Sequence, residues 1–135
     1  MGRTRVILID THIVVWLALA PEKLSARART AIDTARADGD GLAISAITLF
    51  ELAMLADKGR IELAIGLESF LQEVESRLTV LPLTGRTCAR AVQLSSAHSK
   101  DPADRLILAT ALNHGLPLLT ADGKMRKGKL VRTIW

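Results

Sequence analysis

Val6-Ile7-Leu8-Ile9-Asp10-Thr11-His12 is an unbroken apolar run that stops on an acid. A short, continuous, β-branched run of this kind suits a strand covered on both faces, as in a parallel sheet. The strand is expected over residues 5–9, with a helix over 11–20 halted by Pro21. Further strands are expected at 42–44, 78–81, 117–120 and 130–134, and further helices at 25–37, 46–58, 63–77, 85–97 and 102–114. Ser25, Ser45 and Asp101 stand where helix caps belong, Pro102 sits at a first helical position, and Gly59 and Gly115 follow helices as terminators. Turns are expected at 38–41 and 121–123. Strand and helix thus alternate, which predicts an α/β fold. Residues 1–135 would form one domain with a mostly parallel central sheet of 4–5 strands flanked by helices. Ligands of such sheets bind outside the carboxyl ends of the strands.

The 135 residues are 49% apolar, enough for a sizeable core and too many for disorder. The longest apolar run, residues 13–20, is shorter than the ~20 residues a bilayer requires. No signal-peptide pattern opens the chain, so a cytoplasmic protein without membrane contact is expected. The single cysteine, Cys88, excludes an internal disulfide and a Cys-rich zinc site, and is expected to pack as a small helix residue. His12, His98 and His114 are scattered and form no ligand cluster. The net charge of +4 is mild but uneven. Arg3 and Arg5 flank the first strand, and Lys124, Arg126, Lys127, Lys129 and Arg132 crowd the last fifteen residues. With no Tyr, two Phe and two Trp, the chain has little material for a base-stacking platform. A nucleic acid would be held by its backbone.

Four acids interrupt apolar segments. Asp10 ends the first strand, and Glu51 is the one charged residue between Ala46 and Ala56, in a helix expected to be buried on most sides. Asp104 shares a helix face with Ile107, Leu108 and Ala111, and Asp122 follows Leu118-Leu119 in a turn. Each has a plain reading. Asp10 can cap a helix and keep its second oxygen free, Glu51 can reach the surface, Asp101 and Asp104 resemble a capping box, and Asp122 suits a turn. Together they suggest a shared pocket. Crowded carboxylates repel and lose hydration, and a divalent cation offsets that cost while supporting phosphodiester hydrolysis.

These segments, in this order, resemble the PIN domain family nearly end to end. Residues 6–12 are similar to its opening strand and first Asp, 44–52 to its second strand and Glu-bearing helix, 101–111 to its third acidic segment and 118–122 to its fourth. The length and the Asp-Pro-Ala-Asp-Arg-Leu-Ile segment further resemble VapC-type toxins of toxin–antitoxin pairs. The resemblance implies a Mg²⁺- or Mn²⁺-dependent endoribonuclease with catalytic Asp10, Glu51, Asp104 and Asp122. Asp10, Asp104 and Asp122 would hold the metal, and Glu51 would orient or deprotonate the attacking water. Products would carry 5′-phosphate and 3′-hydroxyl ends. The implied partners are RNA, a VapB-type antitoxin in a groove between helices 24–37 and 46–58, and a second copy of the chain. Thr11, Ser45 and Thr120 are candidate hydrogen-bond partners of the acids. Arg86, Arg90, Lys124 and Arg126 are candidate phosphate contacts. His12 stands where the family often has Ser or Asn.

Two other classes compete. A phosphotransfer or phosphatase domain would show a second Asp just after the first strand, where this chain has Asp-Thr-His. A non-catalytic PIN-like binding module would use the acids only to hold a partner's arginine, and metal-dependent turnover on RNA separates it from an enzyme.

Overall fold

The computed structural model describes residues 6–39, 41–95 and 99–135. Its strands are β1 (Ile7–Ile9), β2 (Leu42–Ser45), β3 (Thr79–Leu81), β4 (Leu118–Leu119) and β5 (Thr133–Ile134). All pair in parallel, in the order β3-β2-β1-β4-β5. The chain leaves β1 toward β2 and β3 on one side and returns to β4 and β5 on the other. The strand order therefore reverses beside β1, and a crevice opens at the carboxyl ends there.

Residues alternate across the sheet with period two, so each strand feeds two cores. Ile7, Ile9, Leu42, Ile44 and Leu119 point to one face. There they meet α1 (Thr11–Leu19), α2 (Ala26–Ala37), Leu52 of α3 (Ala46–Asp57), and Phe70 and Val74 of α4 (Leu67–Arg77). Leu8, Ala43 and Leu118 point to the other face, against Ile107, Leu108 and Ala111 of α6 (Pro102–His114) and Met125 of α7 (Gly123–Gly128). α5 (Gly85–Gln93) packs on α6. Gly115, at φ 64°, closes α6 in the left-handed conformation that glycine adopts without strain.

Several expectations need correction. α4 begins at Leu67 with Gly66 as its cap, not at residue 63. α5 ends at Gln93, and Pro21–Lys23 form a short 3-10 turn. Asp122 opens a helix instead of only turning the chain. Four strands also start later than expected, β1 at Ile7, β3 at Thr79, β4 at Leu118 and β5 at Thr133. α3 is not buried on most sides. Only Thr48 and Leu52 are buried on it, and Phe50 is 61% exposed. Its main neighbours are α1, α4, α6 and β2, whereas those of α2 are β2 and β5. Cys88 is exposed on α5 rather than packed. Arg3, Arg5, Asp40 and His98 lie outside the described residues. No helix among those residues is long and apolar enough to cross a membrane.

Candidate active site

Asp10 follows the last residue of β1 and is 3% exposed. Its backbone is extended, its Oδ1 accepts the Thr11 N–H at 2.8 Å, and so it caps α1. Its second oxygen is not free, as the cap reading had it. Oδ2 accepts the Thr120 hydroxyl at 2.7 Å and faces His12 Nδ1 at 3.4 Å. A carboxylate offers about four lone-pair positions, so acceptor capacity remains on this side.

Thr120 follows β4 and is fully buried. While donating to Asp10, its hydroxyl accepts the Asp122 N–H at 3.0 Å. Asp122 in turn caps α7 through Oδ1, which accepts the N–H groups of Lys124 and Met125 at 2.8 and 3.1 Å. His12 makes a second tie, because its Nε2 accepts the Ala121 N–H at 3.0 Å. With Nε2 accepting, the neutral ring carries its proton on Nδ1, toward Asp10.

Glu51 reaches the pocket from α3. Its Oε1 accepts the Thr11 hydroxyl at 2.5 Å, and that hydroxyl lies 3.0 Å from the Thr48 hydroxyl. Burial raises the Glu51 carboxyl above its ordinary range, Thr11 works against that, and the charges of Asp10 and Asp101 add to it. Asp104 comes from the first turn of α6. Asp101 caps that helix by accepting the N–H groups of Ala103 and Asp104 at 2.8 and 3.2 Å. The buried Ser99 hydroxyl donates to Asp104 Oδ2 at 3.2 Å. Desolvation, followed by the charges of Asp10 and Asp101, pushes the Asp104 carboxyl up to about 7; Ser99 opposes this and Asp122 adds slightly.

Asp10, Glu51 and Asp104 therefore line one open groove of about 530 Å³, together with Thr11, His12 and Trp16. Asp122 is not in its wall, but stands beside it through Thr120 and is near enough for its charge to act on Asp104. A larger cavity, about 720 Å³, lies by the amino ends of β1 and β4, remote from these acids.

The PIN domain model matches residues 7–129. This chain belongs to the PIN domain family. The PIN chain is 42% identical, over 131 residues, to Ribonuclease VapC22 of Mycobacterium tuberculosis, spanning 96% of this chain and 98% of that relative. Among solved structures, VapBC2 from Rickettsia felis bound to a DNA fragment from their promoter shares the fold at TM-score 0.71 and 18% identity, over 95% of this chain and 96% of that one. DNA-bound VapBC from Salmonella typhimurium matches at TM-score 0.69 and 23% identity, over 97% of both chains. VapBC-5 from Mycobacterium tuberculosis matches at 0.61 and 19%, over 96% and 97%.

In this PIN domain, two of the three expected hydroxyl partners, Thr11 and Thr120, do meet acids. The third does not. Ser45 caps α3 through the Ile47 N–H at 3.4 Å and receives the Thr110 hydroxyl at the same distance. Arg90 is turned away as well, donating to Asn113 at 3.0 Å near the far end of α6. From Asp104 to Asn113 is nine helical residues, ~13 Å. Lys124 and Arg126 are exposed on α7, next to its cap Asp122. Ser99 and Thr48 escaped the sequence reading, and no pattern in the chain marks them. Arg105, adjacent to Asp104, donates to the carbonyls of Ala91, Val92, Leu94 and Ser99, so it fastens the end of α5 and the Ser99 backbone to α6.

The donor set suits a hard cation. Carboxylate oxygens are preferred by Mg²⁺ and Mn²⁺, and the raised Asp104 carboxyl marks a place where positive charge is wanted. Among the described residues, no three acidic, His or Cys side chains are set closely enough to hold an ion as they stand. Mg²⁺ does not need such a cage, since it keeps several waters and is commonly bound through one or two carboxylates plus substrate phosphate.

Proposed function

We propose that this chain is the toxin of a type II toxin–antitoxin pair and that residues 1–135 act as one metal-dependent endoribonuclease domain. The observation that carries the reading is the groove at the carboxyl end of β1, where acids from three distant segments meet and one is pushed up to about 7. The 42% identity to Ribonuclease VapC22 supports the same chemistry, and the VapBC titles of the structural relatives support an antitoxin partner.

Asp10 and Asp104 would hold Mg²⁺ or Mn²⁺, with Asp122 assisting from the rim. A bound cation would acidify water and offset the charge that grows on the phosphoryl oxygens. Thr120 and His12 fix the Asp10 carboxylate, and Ser99 fixes that of Asp104. Thr11 holds one oxygen of Glu51. The other oxygen would orient water for in-line attack on phosphorus and take its proton, a task helped by a carboxyl that burial raises above its ordinary range. As the bond from water oxygen to phosphorus forms, the P–O3′ bond breaks and the departing 3′ oxygen takes a proton from solvent, which gives 5′-phosphate and 3′-hydroxyl ends.

The exposed Phe50 and Met54, four residues apart on α3, form an apolar face that an antitoxin helix or a second copy of the chain can cover. Purified protein incubated with RNA and Mg²⁺ tests the catalytic reading. Cleavage abolished by EDTA and reduced at least ~10²-fold by Asp10→Asn is expected. Metal-independent cleavage, or full activity in a folded Asp10→Asn protein, overturns it.

A further inference from the structure

Both tryptophans of the chain meet at the acid groove. Trp16 lies four residues after His12 on α1 and so shares its face. Their ring centroids are 5.0 Å apart, edge to face at 62°. Trp16 also meets Trp135, with centroids 5.6 Å apart and planes tilted by 48°. His12 is itself fastened to the Ala121 N–H and faces Asp10, so the aromatic row begins at the acid centre. Trp16 is only half-buried, and it lines the groove with Asp10, Glu51 and Asp104. The groove continues past Leu19 and Ala20 to Lys23 and Arg60. Among the described residues neither cation makes an ion pair.

A tryptophan serving only the core would be covered. This one packs partly on the core beside Trp135, meets His12 edge to face, and leaves part of its surface lining the groove with the acids. An aromatic face stacks any nucleobase, and a nearby pair of unpaired cations suits the phosphate that follows. The scarcity of aromatic residues argued against a stacking platform, but the fold brings both tryptophans together beside the site.

We propose that the groove along α1 is the path of a single-stranded RNA, in which Trp16 stacks a base next to the scissile phosphate while Lys23 and Arg60 receive the adjoining backbone. This rests on the ribonuclease reading above. Trp16 and His12 supply a surface that discriminates stacked from unstacked nucleotides without reading base edges.

The chain has no tyrosine, and both tryptophans are here, so its intrinsic fluorescence reports on this one place. The test titrates Asp104→Asn protein, in Mg²⁺, with a single-stranded oligoribonucleotide and with a matched strand carrying abasic positions. The base-bearing strand is expected to quench the emission and to bind ~10-fold or more tighter than the abasic one. In the otherwise unaltered protein, Trp16→Leu is expected to raise KM for RNA ~10- to 100-fold with kcat nearly unchanged, and Trp16→Phe to recover most of the loss. Equal binding of both strands without quenching, or wild-type KM in a folded Trp16→Leu protein, overturns the proposal. So does a Trp16→Leu protein that keeps its RNA kinetics but loses its antitoxin, since the face then serves a protein partner. Quenching without any cleavage by the unaltered protein refutes the ribonuclease reading and leaves stacking standing. Cleavage with neither quenching nor a KM effect refutes stacking alone.

Discussion

Asp104→Asn is expected to flatten the pH dependence of stability in EDTA. The Asp104 carboxyl rises from its ordinary 3.8 to about 7 in the fold, mainly through lost hydration and then through Asp10 and Asp101. Between those two values the folded protein binds a proton that the unfolded chain has released, so stability falls as pH increases across that window. At ~1.36 kcal/mol per pH unit the ceiling is ~4 kcal/mol, which the partial exposure of the side chain reduces to ~1–2 kcal/mol. Glu51, raised in the same direction, adds a smaller slope that the variant retains. Urea unfolding of both proteins at pH 4 and pH 8, in EDTA, isolates the Asp104 contribution, because carboxylates elsewhere cancel in the difference. The variant should match the unaltered protein at pH 4 and exceed it by ~1–2 kcal/mol at pH 8. Mg²⁺ at 100 times its Kd should then raise the unaltered protein at pH 8 by ~2.7 kcal/mol and the variant by far less. Identical pH slopes in the two proteins would refute the claim that this carboxyl is strained by its neighbours.

Other substitutions separate the site from its scaffold. Thr120→Val removes a buried donor to Asp10 and the acceptor of the Asp122 N–H, and should cost ~1.5–3 kcal/mol in unfolding and lower RNA cleavage. Leu52→Ala, at a fully buried position, should cost ~2–5 kcal/mol by chemical denaturation without a specific effect on KM. Phe50→Ser should change stability by less than ~0.5 kcal/mol but weaken capture of the antitoxin in a co-expression pull-down.

Much of the fold was legible because strands and helices here differ in period and punctuation. The runs ending at Ile9, Ser45 and Leu119 are short and continuous, and Ser25, Asp101 and Gly115 cap as their chemistry dictates. Local chemistry failed where one residue serves two structures. Asp122-Gly123 reads as a turn, and the same acceptor geometry starts α7. Residues 63–66, expected to begin the fourth helix, precede α4 without joining it, because apolar residues do not mark where the hydrogen-bonded turns begin. The apolar circumference of α3 suggested burial, but its outer face, with Phe50 and Met54, is left exposed by the described residues. Within the site, the acids stood out because charge is rare in such segments. Thr48 and the Trp16–Trp135 pair did not, because only the sheet order and the helix packing bring them to their partners, and Ser99, though only five residues before Asp104, carries no pattern that marks it as a donor.

A Mn²⁺-soaked crystal examined by anomalous scattering addresses the acid centre most directly. A peak coordinated by Asp10 and Asp104, weakened in Asp104→Asn crystals, is the expected result. Mn²⁺ bound elsewhere, with those two carboxylates free of it at saturating concentration, would contradict a cation-dependent site at the end of β1.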